Sequence, residues 1–284
     1  MLVIIYGTGL WPTWLEALEP TSSFWKNFPA VENVIQIDTL ESPEKFPLQQ
    51  ICKHYEQSVL IPLTVANNVN HPKGCLTLVS EKETLITFNN KTLFYAFLLK
   101  NGLKEYSPKM IDTNSPTLKF PFMMKRPDQF AGVGVVFVDS QDKYNATLND
   151  PLFKDQPYMV QEYIEGEVEY VTQVMCKDGE ILWNVTFEGK VPNDSKVNQG
   201  AFKNPKIVDI DPSIFEIFCT IFKLANYSGP GNVNFKIRDG KPVIFECNAR
   251  FGGSMFLPVF RPQLEQSILT LLNNAYLQTD EVQG

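Results

Sequence analysis

Short apolar runs, separated by stretches with helical spacing, make up the first part of the chain. The runs that predict buried strands are residues 2–6, Val34–Ile37 and Val59–Pro62. Between them, Trp11–Leu18 and Leu48–Tyr55 have the spacing of helices. Strands that alternate with helices favour a parallel sheet. We therefore predict a small parallel α/β domain over residues 1–84.

The pattern then changes to one longer helix followed by many short segments. Lys91–Asn101 has apolar positions at helical spacing and ends at Gly102, which predicts a helix within a linker region at residues 85–118. Beyond it we divide the chain into residues 119–172 and 173–284. The predicted elements there are strands at Phe120–Lys125, Val135–Val138, Tyr158–Gln161 and Glu169–Met175, helices at Ile214–Leu224 and Leu264–Leu277, and hairpin turns at Lys177–Glu180 and Arg238–Lys241. Mixed segments of this kind indicate α+β architecture.

Composition narrows the class of protein. Hydrophobic residues make up 44% of the 284 and charged residues 20%, as in a folded globular protein rather than a disordered one. The net charge of −7 provides no basic surface, which argues against nucleic acid as a partner. A phosphate site would therefore need a few local cations and backbone N–H groups.

The cysteines and the apolar runs indicate where in the cell the protein is expected. The five cysteines are scattered and form no CxxC pair, which indicates reduced thiols in a cytoplasmic protein rather than a zinc site. The apolar start lacks the basic segment of a signal peptide. No run approaches the roughly 18 apolar residues of a membrane span, so we expect no membrane partner.

Gly7-Thr8-Gly9, directly after the first predicted strand, leaves two interpretations open. Dinucleotide-binding folds place a G-x-G-x-x-G motif at this position, but the third glycine would fall at Pro12. A simple turn is the alternative, and Pro12 favours it.

The segment Pro242–Ser254 contains the clearest candidate chemistry. Because the side chains of a strand alternate between faces, Glu246 and Asn248 would point to one side, and Phe245 and Cys247 to a core on the other. Two hard oxygen ligands about 7 Å apart along the strand suit Mg²⁺. An edge strand with a solvated polar face is the alternative.

The residues around this strand add to the candidate site. Arg250 follows it, and Gly252-Gly253 allows the backbone to approach a ligand closely. A turn at Asp239-Gly240 connects it to a second alternating strand, so that Asn234 can neighbour Glu246 and supply a third oxygen. The polar residues on one face of that second strand are Asn232, Asn234 and Lys236.

Lys125 ends an apolar strand shortly before the glycine-containing loop Ala131–Val135. N–H groups of such a loop can wrap phosphate oxygens while the ammonium acts as a point charge. A surface lysine before a hairpin is the alternative. The sequence contains no GxxxxGK[ST], which excludes a P-loop.

Val160–Tyr170 is an acidic strand–turn–strand segment. Glu162 and nearby backbone groups could meet an adenine edge. Glu169, on the following strand, could accept hydrogen bonds from ribose hydroxyls. A solvated acidic hairpin is the alternative.

Taken in order, these motifs resemble the ATP-grasp superfamily, particularly its carboxylate–amine ligases and the ATP-binding domains of carbamoyl-phosphate synthetase. The resemblance covers residues from about 85 to 275. It implies two α+β lobes that clasp ATP, preceded here by the small parallel α/β domain. Residues 119–172 would be the small lobe and residues 173–284 the large, metal-binding lobe.

The resemblance also implies a role for individual residues. Gln161–Glu165 would contact adenine, Glu169 the ribose, and Lys91 the phosphates. The complete implied cofactor-binding set is Lys91, Lys125, Gly132, Gly134, Glu162, Tyr163, Ile164, Glu165 and Glu169. The implied ligands of Mg²⁺ or Mn²⁺ are Asn234, Glu246 and Asn248, and the implied catalytic residues are Arg250, Lys125 and Glu246.

Two positions depart from the family pattern. Asn234 stands where most relatives have Asp, which lowers the charge at the metal, although the carbamoyl-phosphate synthetase type has an amide there. The loop has Gln129-Phe130-Ala131 where relatives often have Ser and Gly, so it would cover the phosphates less completely.

The reaction that the resemblance implies has two steps. A substrate carboxylate attacks the γ-phosphate of ATP to give an acyl phosphate and ADP, and an amine, or less often a thiol, then displaces phosphate. Lys91, Lys125, Arg250 and the metal would balance phosphate charge. We expect an ADP-forming ligase with small-molecule carboxylate and amine substrates, and leave a homodimer open.

Two other functions stay open, namely phosphorylation of a carboxylate or carbamate without an amine acceptor, and nucleotide binding with little turnover. The loops expected to bind substrate are Phe187–Phe202 and Phe251–Arg261. Three lysines near the first loop either hold a substrate carboxylate or are solvated: Lys190, Lys196 and Lys203.

Overall fold

The computed structural model describes residues 1–8, 16–38, 51–69, 74–115, 117–129, 132–192, 196–198, 202 and 204–277. Within these ranges the strands form two sheets of five strands and one of three. This arrangement agrees with the predicted mixture of α/β and α+β architecture. None of the helices in the described ranges is long and apolar enough to cross a membrane.

The first sheet is mostly parallel and uses the apolar runs near the amino terminus. Its strands are β1 (Leu2–Tyr6), β2 (Asn33–Ile37), β3 (Ser58–Pro62), β4 (Leu76–Thr77) and β13 (Tyr276–Leu277), in the order β13-β4-β3-β1-β2. β1 runs parallel to β2 and β3 and is buried throughout, as expected of a strand covered on both faces. The predicted parallel unit is confirmed, with a short helix α1 (Val65–Val69) after β3.

Predicted helices in this region are only partly described. The helix predicted at Trp11–Leu18 is described from residue 16, where a 3₁₀ helix, Glu16–Leu18, begins. The helix predicted at Leu48–Tyr55 is described from residue 51. Gly9 and Pro12, on which the dinucleotide interpretation depends, lie outside the described residues.

The three-stranded sheet is antiparallel and carries a helix on one face. Its strands are β5 (Phe122–Lys125), β6 (Val135–Val138) and β7 (Met159–Glu162), in the order β6-β5-β7. Phe122 and Met124 are fully buried in a cluster shared with helix α4 (Gln141–Asn149). Because side chains alternate along β5, Met123 and Lys125 point to the opposite face.

The second five-stranded sheet is antiparallel throughout and has helices on both faces. Its strands are β8 (Val168–Lys177), β9 (Glu180–Lys190), β10 (Lys206–Val208), β11 (Gly229–Arg238) and β12 (Lys241–Asn248), in the order β10-β9-β8-β11-β12. The helices packed on it are α2 (Lys82–Asn89), α3 (Lys91–Lys100), α5 (Pro212–Leu224) and α6 (Arg261–Asn274). Phe88, Phe94 and Phe218 cover one face, and Leu264 and Ile268 of α6 cover the other.

One hydrophobic core joins the first sheet to the second five-stranded sheet. It contains Val3 and Val59 of the first sheet together with Phe187 of β9 and Leu264 of α6. The predicted last helix is corrected at its end: α6 stops at Asn274, because the next residues pair with β4 as β13. The predicted boundary between residues 172 and 173 falls inside β8, and the division into domains stays a proposal.

Candidate active site

Residues of the three-stranded sheet and of the second five-stranded sheet line one cleft of about 1070 Å³, counted with the solvent at its mouth. The predicted site residues that line it are Lys91, Lys125, Gly132, Tyr163, Ile164, Glu169, Asn234, Glu246, Asn248 and Arg250. The predicted site residues outside this lining are Gly134, Glu162 and Glu165. The fold thus brings together most of a set that is spread over 160 positions of the sequence.

The hairpin of β11 and β12 forms a polar corner of the cleft. Asn234 pairs with Glu246, as predicted, and Asn232 pairs with Asn248. Opposite side chains of an antiparallel pair lie on the same face, with Cβ atoms about 5 Å apart. One carboxylate and three amides therefore converge on this corner.

Asn232 fixes the orientation of the other two amides. Its Oδ1 accepts hydrogen bonds from Asn234 Nδ2 at 2.9 Å and from Asn248 Nδ2 at 3.1 Å. Its own Nδ2 donates to the carbonyl oxygen of Arg250 at 3.0 Å. Since the NH₂ groups of Asn234 and Asn248 are directed to Asn232, their carbonyl oxygens are left for another partner.

Phe245 corrects one detail of the predicted strand. Alternation had placed it toward the core, whereas it lines the cleft. The cause is a bulge: Phe235 pairs with Ile244 and Asn234 with Glu246, so that Phe245 has no partner on β11. Cys247 is buried in the core, as predicted.

The oxygen atoms of this corner are of the chemical type that a magnesium ion prefers. Glu246 supplies one carboxylate, and Asn234 and Asn248 supply amide carbonyls, all of them hard oxygen ligands. In the described part of the chain, no group of three or more His, Cys, Asp or Glu side chains could hold a metal ion. A cation here would therefore depend on the amides and on ligand oxygens, as Mg²⁺ does when phosphates complete its octahedron.

Lys125 is a buried cation, not the surface lysine of the alternative interpretation. Its side chain lies at the end of β5, donates to Gln161 Oε1 at 3.0 Å and lies 5.2 Å from the ring centroid of Phe245. Burial lowers the pKa of Lys125 to about 8, assisted by the charge of Lys91 and opposed by that of Glu246. An ammonium held with so little solvation is available to a negatively charged ligand.

Lys91 approaches the same corner from the start of α3. The helix begins there because Asn90 Oδ1 accepts from the backbone N of Thr92 and Leu93, at 3.0 and 3.1 Å. Lys91 Nζ donates to the carbonyl oxygen of Gln129 at 2.5 Å and lies 3.5 Å from Glu246 Oε1. The cap therefore places a second cation beside the only carboxylate of the proposed metal set.

The glycine loop is described from residue 132 onward, after a gap at residues 130–131. Gly132 lines the cleft with a φ of 78°. Gly134 instead packs outside the cleft lining, where an added Cβ would lie 2.8 Å from Cβ of Arg126. Its φ of 65° and its carbonyl, which accepts from Arg126 N at 2.7 Å, close the loop onto β5. Gly134 thus has a structural explanation that needs no phosphate.

The two glutamates of the predicted adenine segment, Glu162 and Glu165, have different surroundings. Glu162 Oε1 accepts from the backbone N of Lys109 at 2.9 Å, and its carboxylate pairs with Arg238 at 3.0 Å. This side chain is therefore committed to the protein, which leaves the backbone of the segment to meet a ligand. Glu165 is exposed.

Lys236 holds this segment from the opposite sheet. Its buried Nζ donates to the carbonyl oxygens of Ile164 at 2.9 Å and Gly166 at 2.8 Å, and lies 5.3 Å from the ring centroid of Tyr163. Burial lowers the pKa of Lys236, against the charge of Glu169. The alternation of β11 placed Lys236 on the cleft face in the sequence, but only the folded chain shows its partners.

Glu169 and Arg250 are half-buried charged residues that line the cleft. Burial raises the pKa of Glu169, although Asn198 donates a hydrogen bond to it and Lys236 is near. Burial lowers the pKa of Arg250, against the charge of Glu246, and Nη1 of Arg250 donates to the carbonyl oxygen of Phe251 at 2.9 Å. Within the acidic segment, Glu165 and Glu167 are exposed, whereas Glu169 lines the cleft and accepts from Asn198; its role toward a ribose stays a prediction.

The lysines of the predicted substrate loop have different positions. Lys196 lines the cleft. Lys190 is exposed at the end of β9, and Lys203 lies outside the described residues. Gln173 also lines the cleft and was not among the predicted site residues. Its spacing of four residues from Glu169 along one strand face was the available signal.

Comparison with known proteins identifies a family. A family model described as "ATP-grasp domain" matches residues 88–254. The chain is 21% identical over 187 residues to the arginine-specific large chain of carbamoyl phosphate synthase from Bacillus subtilis strain 168, which covers 62% of this chain and 18% of that protein. The chain spans less than a fifth of the length of the first curated relatives that it matches.

Solved structures support the fold. D-alanine–D-alanine ligase from Bacillus anthracis matches with a TM-score of 0.64 at 18% identity, over 96% of this chain and 98% of that one. The same ligase has also been solved in complex with ATP, with a TM-score of 0.62. Phosphoribosylamine–glycine ligase from Thermotoga maritima matches with a TM-score of 0.67 at 15% identity, over 98% of this chain and 77% of that one. The predicted fold is confirmed.

Proposed function

The chain belongs to the ATP-grasp family, and we propose that it is an ADP-forming ligase that joins a small carboxylic acid to an amine. The main support is one arrangement in the cleft. Lys91 and Lys125 lie around Glu246, whose neighbours Asn234 and Asn248 present oriented amide oxygens. Such a corner suits the γ-phosphate of ATP, whose charge must be balanced as it is transferred.

The nucleotide would lie along the strands that lead to this corner. Its base would contact the backbone of Tyr163–Glu165, which Lys236 holds, and its ribose would contact Glu169. The phosphates would then reach Lys91 and Lys125. This order follows the sheet, because Glu169 and Lys236 lie toward the same end of the cleft, whereas Asn234 and Glu246 lie further along it.

Mg²⁺ or Mn²⁺ would be held by Glu246, Asn234 and Asn248. When bound, the ion would withdraw charge from phosphate oxygens as a Lewis acid. Asn232 accepts hydrogen bonds from the NH₂ groups of Asn234 and Asn248, which leaves both amide oxygens available to such an ion.

The proposed chemistry needs no protein nucleophile. An oxygen of the substrate carboxylate forms a bond to the γ-phosphorus, and the bond to the β-phosphate oxygen breaks to release ADP. The amine nitrogen then attacks the acyl carbon, phosphate leaves with the C–O electron pair, and the amine loses a proton. Burial raises the pKa of Cys176 and Cys247, which keeps these core thiols neutral.

The decisive test is the dependence of ADP release on both substrates. Amino acids and simple carboxylic acids should be screened singly and in pairs. We expect ADP and phosphate only when an acid and an amine are both present. ADP release with acid alone would indicate a carboxylate kinase, and ATP binding without release in any combination would indicate a binding module. The cytoplasmic location and the homodimer stay predictions.

We expect ATP with Mg²⁺ to raise the melting temperature, and NAD or NADP to leave it unchanged. A ligand that binds only the native state stabilises it by RT ln(1 + [L]/Kd), about 2.7 kcal/mol at a hundred times Kd. Thermal unfolding with each nucleotide measures this directly. Stabilisation by NAD(P) alone would contradict the proposed function.

We expect Lys236→Met to weaken ATP binding about tenfold or more. Each hydrogen bond from a charged donor contributes about 1.5–3 kcal/mol, and losing two of them releases the segment that meets the base. Lys236→Arg can still donate to Ile164 and Gly166 and should stay within a few-fold of wild type. Calorimetric titration with ATP gives the affinities. Equal affinity in Lys236→Met and wild type would show that Lys236 does not organise the nucleotide site.

A further inference from the structure

The residues of β8 that line the cleft lie in a row along the strand. Glu169, Val171 and Gln173 alternate on the cleft face. Val171 is opposite Asn234, and Gln173 is opposite Asn232. At about 3.4 Å per residue, Gln173 lies about 14 Å from Glu169, on the far side of the corner that contains Asn232 and Asn234. In the proposed orientation of the nucleotide, a group that attacks the γ-phosphate from the side opposite ADP would lie at the Gln173 end.

Gln173 has an unsatisfied donor at that end. Its side chain is 2% exposed, and its Oε1 accepts from the backbone N of Gly252 at 3.0 Å. Because a backbone N–H can only donate, this bond fixes the orientation of the amide. Among the described residues, Nε2 then has no hydrogen-bond partner. A buried unpaired donor costs about 1–3 kcal/mol, so a ligand oxygen there would be stabilising.

Other groups at this end can also donate hydrogen bonds. Arg250, Gly252, Gly253 and Ser254 line the cleft beside Gln173. Gly252 lies so close that an added Cβ would be 2.3 Å from Gln173 Nε2. The two carboxylates among the residues that line the cleft, Glu169 and Glu246, lie nearer the nucleotide and the metal corner. The donors Gln173 Nε2 and the Arg250 guanidinium at this end suit a group that only accepts, such as a carboxylate.

We propose that Gln173 binds the carboxylate that becomes phosphorylated, by donating from Nε2 to one of its oxygens. The inference rests on the proposed ligase function and adds a substrate-binding residue to it. Gln173 orients the acid so that its second oxygen faces the γ-phosphate. Within the proposed function, this contact requires the free carboxylate of the acid rather than its ester or amide, because only the carboxylate presents two acceptor oxygens without a blocking substituent.

Hydroxylamine provides a test that does not require the natural amine. It attacks an acyl phosphate at the acyl carbon, releases phosphate and leaves a hydroxamate that can be measured. The twenty proteinogenic L-amino acids, D-alanine and acetate are screened with ATP, Mg²⁺ and hydroxylamine. The acid that gives the most hydroxamate is then titrated with wild type, Gln173→Glu, Gln173→Met and the exposed control Gln156→Glu.

Gln173→Glu retains the acceptor for Gly252 and replaces the donor with an oxygen of the same size. We expect its KM for the acid to rise at least tenfold while its Kd for ATP, from calorimetry, stays within twofold. Gln173→Met removes donor and acceptor without adding charge, and tests the same point if the glutamate variant folds poorly. Gln156→Glu should match wild type.

Any of the following outcomes would contradict one part of the proposal. An unchanged KM in both Gln173 variants contradicts the role of Gln173, as does a Kd for ATP that weakens in parallel with KM. Hydroxamate that depends on ATP and enzyme and forms equally well from acids and from their methyl esters, after subtraction of the direct reaction of the ester with hydroxylamine, contradicts the need for a free carboxylate. Wild type that binds ATP but gives no hydroxamate with any acid contradicts the ligase function itself, and the inference with it.

Discussion

Glu246→Gln should reduce ADP release by about a thousandfold or more while leaving the fold intact. Glu246 is the single carboxylate of the proposed metal set, and a metal ion that balances phosphate charge contributes several kcal/mol to the transition state. Each 1.36 kcal/mol is a factor of ten in rate. Glutamine has the same shape, so the hairpin pairing of Asn234 with position 246 should persist.

The measurement is a titration of Mg²⁺ against ADP release, with Mn²⁺ binding followed by electron paramagnetic resonance in the presence of ADP. Asn234→Asp tests the same site in the opposite direction. It adds a second carboxylate beside Glu246, and we expect it to retain activity and bind the ion more tightly. The exposed Glu180→Gln, in the same sheet, is the matched control. A near-normal rate and an unchanged Mg²⁺ requirement in Glu246→Gln would show that this strand does not hold the metal.

Lys125→Met should lower kcat by about 30- to 1000-fold without lowering stability. Removing one charged or hydrogen-bonding group aimed at developing transition-state charge costs about 2–4 kcal/mol. The fold should not suffer, because burial of the Lys125 ammonium opposes folding and methionine fills a similar volume. Steady-state kinetics and urea unfolding of Lys125→Met, with the exposed Lys154→Met as control, separate the two effects. If Lys125→Met turns over normally, the phosphates lie elsewhere.

The lowered pKa of Lys125 gives this prediction a pH dependence. The group titrates at about 8 in the folded protein and has a reference value of 10.5. Below pH 8 both states are protonated, and the cost of the buried charge is fully present. As the pH rises from 8 toward 10.5, the folded state loses its proton first, so stability rises by up to about 3 kcal/mol at 1.36 kcal/mol per pKa unit. The difference in unfolding free energy between Lys125→Met and wild type should therefore shrink over this window.

Catalytic activity should fall over the same pH range in which stability rises. The free enzyme loses the Lys125 charge above pH 8, so kcat/KM should fall with rising pH, and Lys125→Met should lack this limb. A pH profile of kcat/KM for both proteins measures the difference. An identical alkaline limb in the variant would assign the titration to another group.

Local pattern determined the elements and the faces of the site strands. Period-two alternation placed Asn232, Asn234 and Lys236 on one face, and the structure has all three in the cleft. The turn at Asp239-Gly240 could also be predicted, since both residues have positive φ, 52° and 74°, which such turns require. These features depend on neighbours in the sequence, and so the sequence contains them.

Alternation predicted that Asn234 neighbours Glu246, but the sequence did not show the bulge through which the folded sheet achieves this pairing. A strict two-residue hairpin that pairs Phe235 with Ile244 would next pair Asn234 with Phe245. The bulge at Phe245 moves the pairing by one residue and brings Glu246 opposite Asn234. The bulged residue Phe245 lies 5.2 Å from Lys125 Nζ, a contact between segments that are far apart in the sequence and that spacing along one strand does not reveal.

The sequence by itself thus determined which strands, turns and oriented polar faces this protein has, because these follow from spacing along one segment. The tertiary structure decided what each polar group contacts. Lys236 donates to the carbonyl oxygens of Ile164 and Gly166, which precede it by about 70 residues in the sequence. Glu162 pairs with Arg238. The backbone N–H of Gly252 donates to Gln173 and sets the orientation of its amide. Each of these contacts joins segments that meet only when the sheets pack, and their geometry is fixed by the distance and angle of a hydrogen bond rather than by residue type.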